Sequence, residues 1–190
     1  EALPLDEGHL VVQAMRAGFA AMQAPPPGLR LSCVNLVPHA RGLGSSAAAI
    51  VGGLVLARAL VADGTARLND DELLRLALRL EGHPDNVAPA LLGGLVISGF
   101  DDSGEVYAVR SALDPRIAAV VFVPPDPLST ETARGLLPDV VPHDVAAANA
   151  GRAALLVTAL AGRPELLWIA TRDELHQPYR RPAMPASLGL

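Results

Sequence analysis

The spacing of apolar residues divides the chain into helical and strand-like stretches. Where leucine, valine and alanine recur every three or four positions, the pattern predicts amphipathic helices, at residues 5–24, 47–62, 70–81, 145–160 and 164–171. Short runs rich in β-branched residues predict strands, at residues 29–37, 95–100, 106–109 and 117–124. Residues 101–104, Asp-Asp-Ser-Gly, supply a turn that predicts a β-hairpin. The elements together predict a mixed α and β protein.

The composition excludes several classes of protein. A hydrophobic share of 51% with 18% charged residues over 190 positions indicates a globular chain. A net charge of −5 and only 3% aromatic residues argue against nucleic acid or an anionic membrane surface as partner. Arg58 interrupts the longest apolar run, so we predict no membrane span and a cytoplasmic location.

A glycine-rich segment between a predicted strand and a predicted helix is the most informative part of the chain. Residues 38–49 read PHARGLGSSAAA. Gly42 and Gly44 allow the backbone to approach a ligand closely, and Ser45 and Ser46 suit a helix N-cap. Because a helix beginning there directs its unpaired N–H groups and positive dipole end at the loop, the segment predicts a phosphate site. A tight turn before a buried helix is the alternative interpretation.

The chain contains no lysine, so all 15 of its Lys and Arg positions are arginine. A Walker-type loop and a protein-kinase fold both need a lysine at the phosphates, and a Schiff base needs one as nucleophile. These classes are excluded. A phosphate loop built from backbone amides, serine and a metal ion remains possible.

A second polar stretch follows the third predicted helix, where residues 81–90 read EGHPDNVAPA. Phosphoryl transfer needs a carboxylate on Mg²⁺ and a polar group that holds the acceptor hydroxyl. Glu81, His83, Asp85 and Asn86 offer both on a predicted loop. Ordinary turn chemistry is the alternative, while zinc is disfavoured because no second histidine or cysteine has ligand spacing.

Both stretches resemble motifs of the GHMP small-molecule kinases. The run that begins at Pro38 resembles their phosphate-binding motif, and residues 81–89 with Gly93 and Gly94 resemble the homoserine kinase branch. The resemblance implies an α+β fold, with a ribosomal protein S5 domain 2-like N-terminal domain at residues 1–110 and a ferredoxin-like C-terminal domain at 111–190, both incomplete. It implies ATP and Mg²⁺, transfer of the γ-phosphate of ATP to the hydroxyl of L-homoserine in threonine biosynthesis, and a possible homodimer.

The same resemblance implies roles for individual residues. The ATP phosphates would be bound by Pro38, Arg41, Gly42, Leu43, Gly44, Ser45, Ser46 and Ala47. Mg²⁺ would be bound by Ser46 and Glu81, the catalytic positions would be Asn86 and Asp85, and the substrate would contact His83, Asn86, Thr130, Arg134 and Arg180. The last two suit a substrate carboxylate because the guanidinium fork matches it with two parallel hydrogen bonds. Arg181 is an alternative to Arg180, and a base role for Asp85 stays open.

Two segments that the family carries are not found in this sequence. One opens the family's chains with an Asn and an Asp that hold the substrate amino group, and the other is a glycine-rich motif near their end. With Glu1 in place of an initiator methionine, we expect an interior portion of a longer enzyme. The alternatives are another GHMP kinase, acting on a sugar or in the mevalonate pathway, and a non-catalytic nucleotide-binding remnant.

Overall fold

The computed structural model describes residues 4–39, 41–123 and 130–185, most of them in helices. The α-helices are α1 (Leu10–Ala21), α2 (Ser45–Ala59), α3 (Gly64–Arg67), α4 (Asp70–Glu81), α5 (Pro84–Leu92), α6 (Thr130–Gly135), α7 (His143–Gly162), α8 (Leu167–Ala170) and α9 (Gln177–Arg180). Strands β1 (Leu95–Phe100) and β2 (Val106–Ser111) form a two-stranded sheet, and 3-10 turns cover Pro164–Leu166 and Arg181–Ala183. The predicted α+β class is confirmed.

The chain divides into two compact units. One comprises Glu1–His39 with Leu43–Arg110, and the other Ala40–Gly42 with Ser111–Leu190. The first unit contains α1 to α5 and the hairpin, and the second contains α6 to α9.

The core of the first unit forms where α1, α2, α4 and α5 pack together. In α1 the buried positions recur at helical spacing, as the apolar pattern predicts. The largest fully buried side chains come from all four helices: Phe19, Ile50, Leu54, Leu73 and Val87. This packing holds the start of α2 and the end of α4 in the same part of the unit, because α2 contacts both α4 and α5.

Side-chain capping explains where two of these helices begin. Asn69 caps α4 through a capping box, in which its Oδ1 accepts from Glu72 N at 3.0 Å and Glu72 Oε2 accepts from Asn69 N at 2.9 Å. The first helix, predicted from residue 5, begins at Leu10 with His9 as its cap. In the preceding turn the Asp6 carboxylate accepts a hydrogen bond from Gly8 N at 2.8 Å.

Two predicted strands are not present. Residues 29–37 and 117–123 are irregular, and several of their apolar side chains are exposed, including Val34 (86%), Leu36 (89%) and Val120 (76%). β-branched residues favour a sheet but cannot form one without a hydrogen-bonded neighbour, and the described residues provide none for either run. Residue 124, where the second prediction ends, lies outside the described residues.

The C-terminal part also differs from its predicted helices. Residues 164–171 form a 3-10 turn followed by α8, and α9 lies at residues 177–180, where the apolar spacing predicts no helix. Asp173 accounts for α9, since its carboxylate accepts from the backbone N–H groups of Leu175, His176 and Gln177 at 3.2, 2.9 and 2.6 Å. This aspartate therefore holds the short helix that carries Arg180.

Helix α7 is long and apolar enough to cross a membrane when only its length and its mean hydropathy of 1.4 are considered. The apolar spacing predicted a helix here, at residues 145–160, but we predicted no membrane span. Two of its polar side chains contact the segment before α9: Arg152 Nη1 lies 3.1 Å from Glu174 Oε2, and Asn149 Oδ1 accepts from Glu174 N at 3.0 Å. Within the described part of the chain only 6% of this apolar window is buried, and Ala159 is the buried residue of the helix.

The second unit contains a buried carboxylate whose charge should make stability depend on pH. Asp114, with its side chain 8% exposed, accepts hydrogen bonds from the Arg116 guanidinium and backbone N–H, which lower the pKa of Asp114 to about 2. Because the pKa of Asp114 is lower in the folded state, its charged carboxylate stabilises the fold at pH values above the ordinary carboxyl pKa of about 4. This stabilisation is lost as the pH falls through 2.

We therefore expect Asp114→Asn to lower the thermal unfolding midpoint at pH 7. Asparagine keeps the shape of the side chain but carries no negative charge that could pair with Arg116. Melting curves across pH should show the gap between the two proteins narrowing from pH 4 to pH 2, and a gap that stays constant would contradict the assignment.

Candidate active site

The glycine-rich loop delivers the start of α2 with an unusual cap. Gly42 and Gly44 have φ of 70° and 72°, in the left-handed region that glycine tolerates, and Gly44 is the N-cap residue. The prediction that a serine caps the helix is wrong, because Ser45 and Ser46 are its first two residues and no side chain caps it. The first intrahelical bond runs from Ala48 N to Gly44 O at 2.9 Å, which leaves the N–H groups of residues 45–47 for a ligand.

The loop requires glycine at position 44 for two reasons. A Cβ there would lie 3.2 Å from Asn86 Oδ1, and the backbone conformation disfavours any other L-residue. If the loop binds the ATP that the family resemblance implies, Gly44→Ala should weaken that binding, and it should destabilise the loop by about 1 kcal/mol. Calorimetric titration with ATP measures this, with Gly104→Ala as a control at a hairpin glycine of similar φ (82°) away from the loop. Equal ATP affinity in the two variants would contradict the role of Gly44.

Ser46 and Glu81 meet at this end of α2. Glu81 is the last residue of α4, and its Oε1 accepts a hydrogen bond from Ser46 Oγ at 2.7 Å. Gly82 ends α4 with φ of 93°, so the carboxylate stands at a helix terminus rather than within a helix. Two residues that are 35 positions apart in sequence thus present two oxygens side by side.

These two oxygens could supply part of the ligand set of a hard divalent cation. Among the described residues no group of three or more His, Cys, Asp and Glu side chains could hold a metal by itself. Mg²⁺ commonly takes one or two protein oxygens and completes its octahedron with waters and substrate phosphates. A hydroxyl and a carboxylate beside a phosphate-type loop fit that requirement.

Asn86 lies directly against the glycine loop. The predicted loop at residues 81–86 is shorter in the structure, since α5 begins at Pro84 with His83 as N-cap. Proline favours the first helical position because its missing N–H would be unpaired there in any case. Asp85 and Asn86 therefore project from the first turn of a helix, and the Asn86 amide closes on Gly44.

His83 and Asp85 form a close pair beside this turn. His83 Nδ1 is buried and lies 2.9 Å from Asp85 Oδ1, although it makes no hydrogen bond of acceptable geometry among the described residues. At this distance a protonated imidazole forms an ion pair with the Asp85 carboxylate. The carboxylate is the more exposed partner, with 61% of its side chain accessible against 25% for the imidazole.

The predicted carboxylate-binding residues belong to the second unit. Arg180 lies on α9, and its Nε is buried without a hydrogen-bond partner among the described residues, whereas Arg181 is exposed. Arg134 is exposed near the end of α6, and the side chain of Thr130 lies outside the described residues. The unsatisfied guanidinium favours Arg180 over Arg181 as an anion ligand, because a buried donor needs a partner.

The remaining residues of the predicted phosphate motif contribute in different ways. Ala47 is fully buried, so only its backbone could serve a ligand, while Leu43 is 38% exposed. Pro38 is exposed and precedes the loop, and Arg41 belongs with Gly42 to the second unit. Within the first unit, the structure brings together Gly44, Ser45, Ser46, Glu81 and Asn86.

The sequence reasoning missed two residues beside Ser45. Asn35 and His39 both have side-chain contacts with its hydroxyl, at 3.2 Å from Nδ2 and 3.1 Å from Nδ1 respectively. Asn35 lay within a predicted strand and His39 within the motif's variable positions. Their contacts with Ser45 form because the segment before the loop folds back onto the start of α2. The spacing of apolar residues does not predict such a contact.

Comparison with known proteins identifies a family and several relatives to which this chain is similar. Residues 9–94 match the family described as the GHMP kinases N terminal domain. The chain is 57% identical over 190 residues to the homoserine kinase of Streptomyces coelicolor, covering all of this chain and 61% of that protein. It is 55% identical over 190 residues to that of Streptomyces avermitilis (all of this chain, 62% of that protein) and 49% identical over 189 to that of Mycobacterium tuberculosis (97% and 60%).

A solved structure supports the fold independently. The crystal structure of homoserine kinase from Cytophaga hutchinsonii superposes with a TM-score of 0.68 at 22% identity, covering 96% of this chain and 59% of that one. The chain thus spans about three fifths of the length of the relatives that it matches. The chain is thus similar to the GHMP kinases in its N-terminal domain match, in its sequence identity over the whole chain and in its fold.

Proposed function

We propose that this chain carries the ATP site of a homoserine kinase, which transfers the γ-phosphate of ATP to the hydroxyl of L-homoserine. The contact between Ser46 and Glu81 at the tip of α2 carries the proposal. It joins the two sequence stretches that resemble the family into one place. The names of the relatives supply the substrate.

The phosphates of ATP would lie at the glycine loop. The N–H groups of residues 45–47, which precede the first intrahelical bond, and the positive end of the α2 dipole favour an anion there. Pro38, Arg41, Gly42 and Leu43 complete the proposed loop in sequence. With no lysine in the chain, backbone amides and arginine supply the positive potential.

Ser46 and Glu81 would hold Mg²⁺, which supplies compensation for charge on the transferred phosphoryl group when it is bound. The Ser46 hydroxyl and the Glu81 carboxylate provide hard oxygens that already lie 2.7 Å apart. Asn86 would orient the acceptor hydroxyl from its position against Gly44. Asp85 and His83 would assist there, and positioning rather than a strong base would supply most of the rate.

The substrate carboxylate would be bound by residues that the homoserine kinase resemblance names. Thr130, Arg134 and Arg180 are the proposed ligands, by their resemblance to the homoserine kinase sequences and by the unsatisfied Nε of Arg180. Residues 1–110 and 111–190 remain the predicted N-terminal and partial C-terminal domains. A cytoplasmic homodimer that acts without nucleic acid or membrane also remains a prediction.

A coupled assay of ADP release by the full-length protein tests the proposed function. Turnover with L-homoserine, and none with mevalonate or galactose, is the expected result. Turnover only with a substrate that is not an amino acid would overturn the homoserine assignment in favour of another GHMP kinase. ATP binding by calorimetry without turnover on any of the three would indicate a non-catalytic nucleotide-binding protein.

Replacing Arg180 tests the proposed substrate contact. We expect Arg180→Ala to raise KM for homoserine about tenfold, because one charge-assisted hydrogen-bonding partner of the carboxylate is lost. KM for ATP should stay unchanged. Arg181→Ala is the matched control, as its neighbouring side chain is exposed, and it should leave both constants as they are. A reversed result would move the role to Arg181.

A further inference from the structure

Three side chains at the entrance to α2 form a hydrogen-bonded chain that the proposed phosphate loop does not by itself explain. Asn35 Nδ2 lies 2.9 Å from His39 Nε2, and His39 Nδ1 lies 3.1 Å from Ser45 Oγ. Asn35 Nδ2 also donates to Ser45 Oγ at 3.2 Å. All three residues belong to the first unit, so their distances are those within one compact body.

The backbone of Val37 determines which way the Asn35 amide faces. Val37 N donates to Asn35 Oδ1 at 2.9 Å, and Asn35 Nδ2 donates to Val37 O at 3.0 Å. A flipped amide would place Nδ2 against the donor Val37 N and Oδ1 against the acceptor Val37 O. The orientation of the amide therefore follows from these hydrogen bonds. The NH₂ group therefore faces His39, with one of its two hydrogens shared between acceptors.

This orientation selects one tautomer of His39. Because Nε2 faces a donor, it must accept, and in a neutral imidazole the hydrogen then resides on Nδ1. Nδ1 donates in turn to Ser45 Oγ. A serine hydroxyl has two acceptor lone pairs and one hydrogen, and here Asn35 and His39 occupy the acceptor sites. The hydroxyl hydrogen of Ser45 is left to be donated elsewhere.

We propose that His39 and Asn35 are positioning residues that present the Ser45 hydroxyl as a hydrogen-bond donor to a phosphate oxygen of ATP. This inference rests on the proposed function of the loop. Ser45 is the first residue of α2, where the backbone N–H groups already favour an anion. A hydroxyl that used its hydrogen on His39 would turn a lone pair, rather than a donor, to the phosphates. The Asn35–His39 pair prevents this.

The experiment is a double-mutant cycle on the full-length protein. ATP dissociation constants are measured by calorimetry for His39→Ala, Ser45→Ala and the double variant, alongside KM for ATP and for homoserine. We expect His39→Ala to weaken ATP binding about fivefold, the effect of roughly one hydrogen bond, and to leave KM for homoserine unchanged. In the Ser45→Ala background the same replacement should change ATP affinity less than twofold. His39→Asn, whose amide can donate from the position of Nδ1, should recover part of the loss.

Several outcomes would overturn the inference. An equal loss on replacing His39 with and without the Ser45 hydroxyl would show that His39 acts by another route, and no loss at all would show that it does not act. His143→Ala, an exposed histidine of the second unit, is the matched control and should bind ATP as the wild type does. Should His39→Ala fail to fold by circular dichroism, Asn35→Ala must show the same dependence on Ser45.

The inference and the proposed function fail in different ways. A wild-type protein that binds no ATP refutes both of them. A wild-type protein that phosphorylates homoserine, together with a cycle that shows no coupling between positions 39 and 45, refutes the positioning role alone.

Discussion

Replacing Glu81 with glutamine is expected to lower kcat for the proposed phosphorylation of homoserine about a hundredfold, equivalent to about 2.7 kcal/mol of transition-state stabilisation. Glutamine keeps the size of the side chain and can still accept from Ser46, but it lacks the charge that attracts a divalent cation. The variant should also need a higher Mg²⁺ concentration for half-maximal activity. Initial rates of ADP release across a Mg²⁺ titration measure both effects.

The matched control is Glu105→Gln, which removes a carboxylate of the same unit that pairs with Arg75 on the surface. It should leave kcat and the Mg²⁺ requirement unchanged, since exposed ion pairs contribute little. If both variants behaved alike, the metal-binding role of Glu81 would be refuted. A large loss of kcat with an unchanged Mg²⁺ requirement would instead assign the carboxylate to another step.

The second large effect concerns two adjacent glycines of α2. A Cβ at Gly53 would lie 2.6 Å from Val11 O and 2.7 Å from Ala14 Cβ, so Gly53→Ala must push α1 away. We expect it to lower the free energy of unfolding by about 2 kcal/mol, since overpacking against backbone cannot relax through a rotamer change. Urea unfolding followed by circular dichroism measures this.

Gly52 provides the control one position earlier. A Cβ there would meet no atom within 4 Å, so only helix propensity changes. Alanine at 52 should therefore stabilise the protein by about 0.5 to 1 kcal/mol. The two substitutions are chemically identical and are expected to have opposite signs. If both stabilised the protein, α1 and α2 would not be packed as closely as the structure has them.

Local sequence determined most of the helices and the hairpin. The apolar spacing of α4, the capping pair Asn69 and Glu72, and Gly82 at its end are all readable within about a dozen positions. The glycine loop before α2 was predictable for the same reason, because left-handed backbone needs glycine. Residues 29–37 and 117–123 show the limit of this reasoning. Their residue pattern favours a strand, but it does not predict whether a neighbouring strand is present to pair with it.

Tertiary structure decided how closely the polar groups of the site meet and which further side chains join them. The resemblance paired Ser46 and Glu81 as ligands of one Mg²⁺, and the packing of α2 against α4 brings their oxygens to 2.7 Å. The packing of α2 against α5 set Asn86 against Gly44. Asn35 and His39 were not predicted to meet Ser45 at all. Helix and turn formation depend on neighbours within a few positions, whereas a site depends on contacts between distant segments, which arise only when the core has formed.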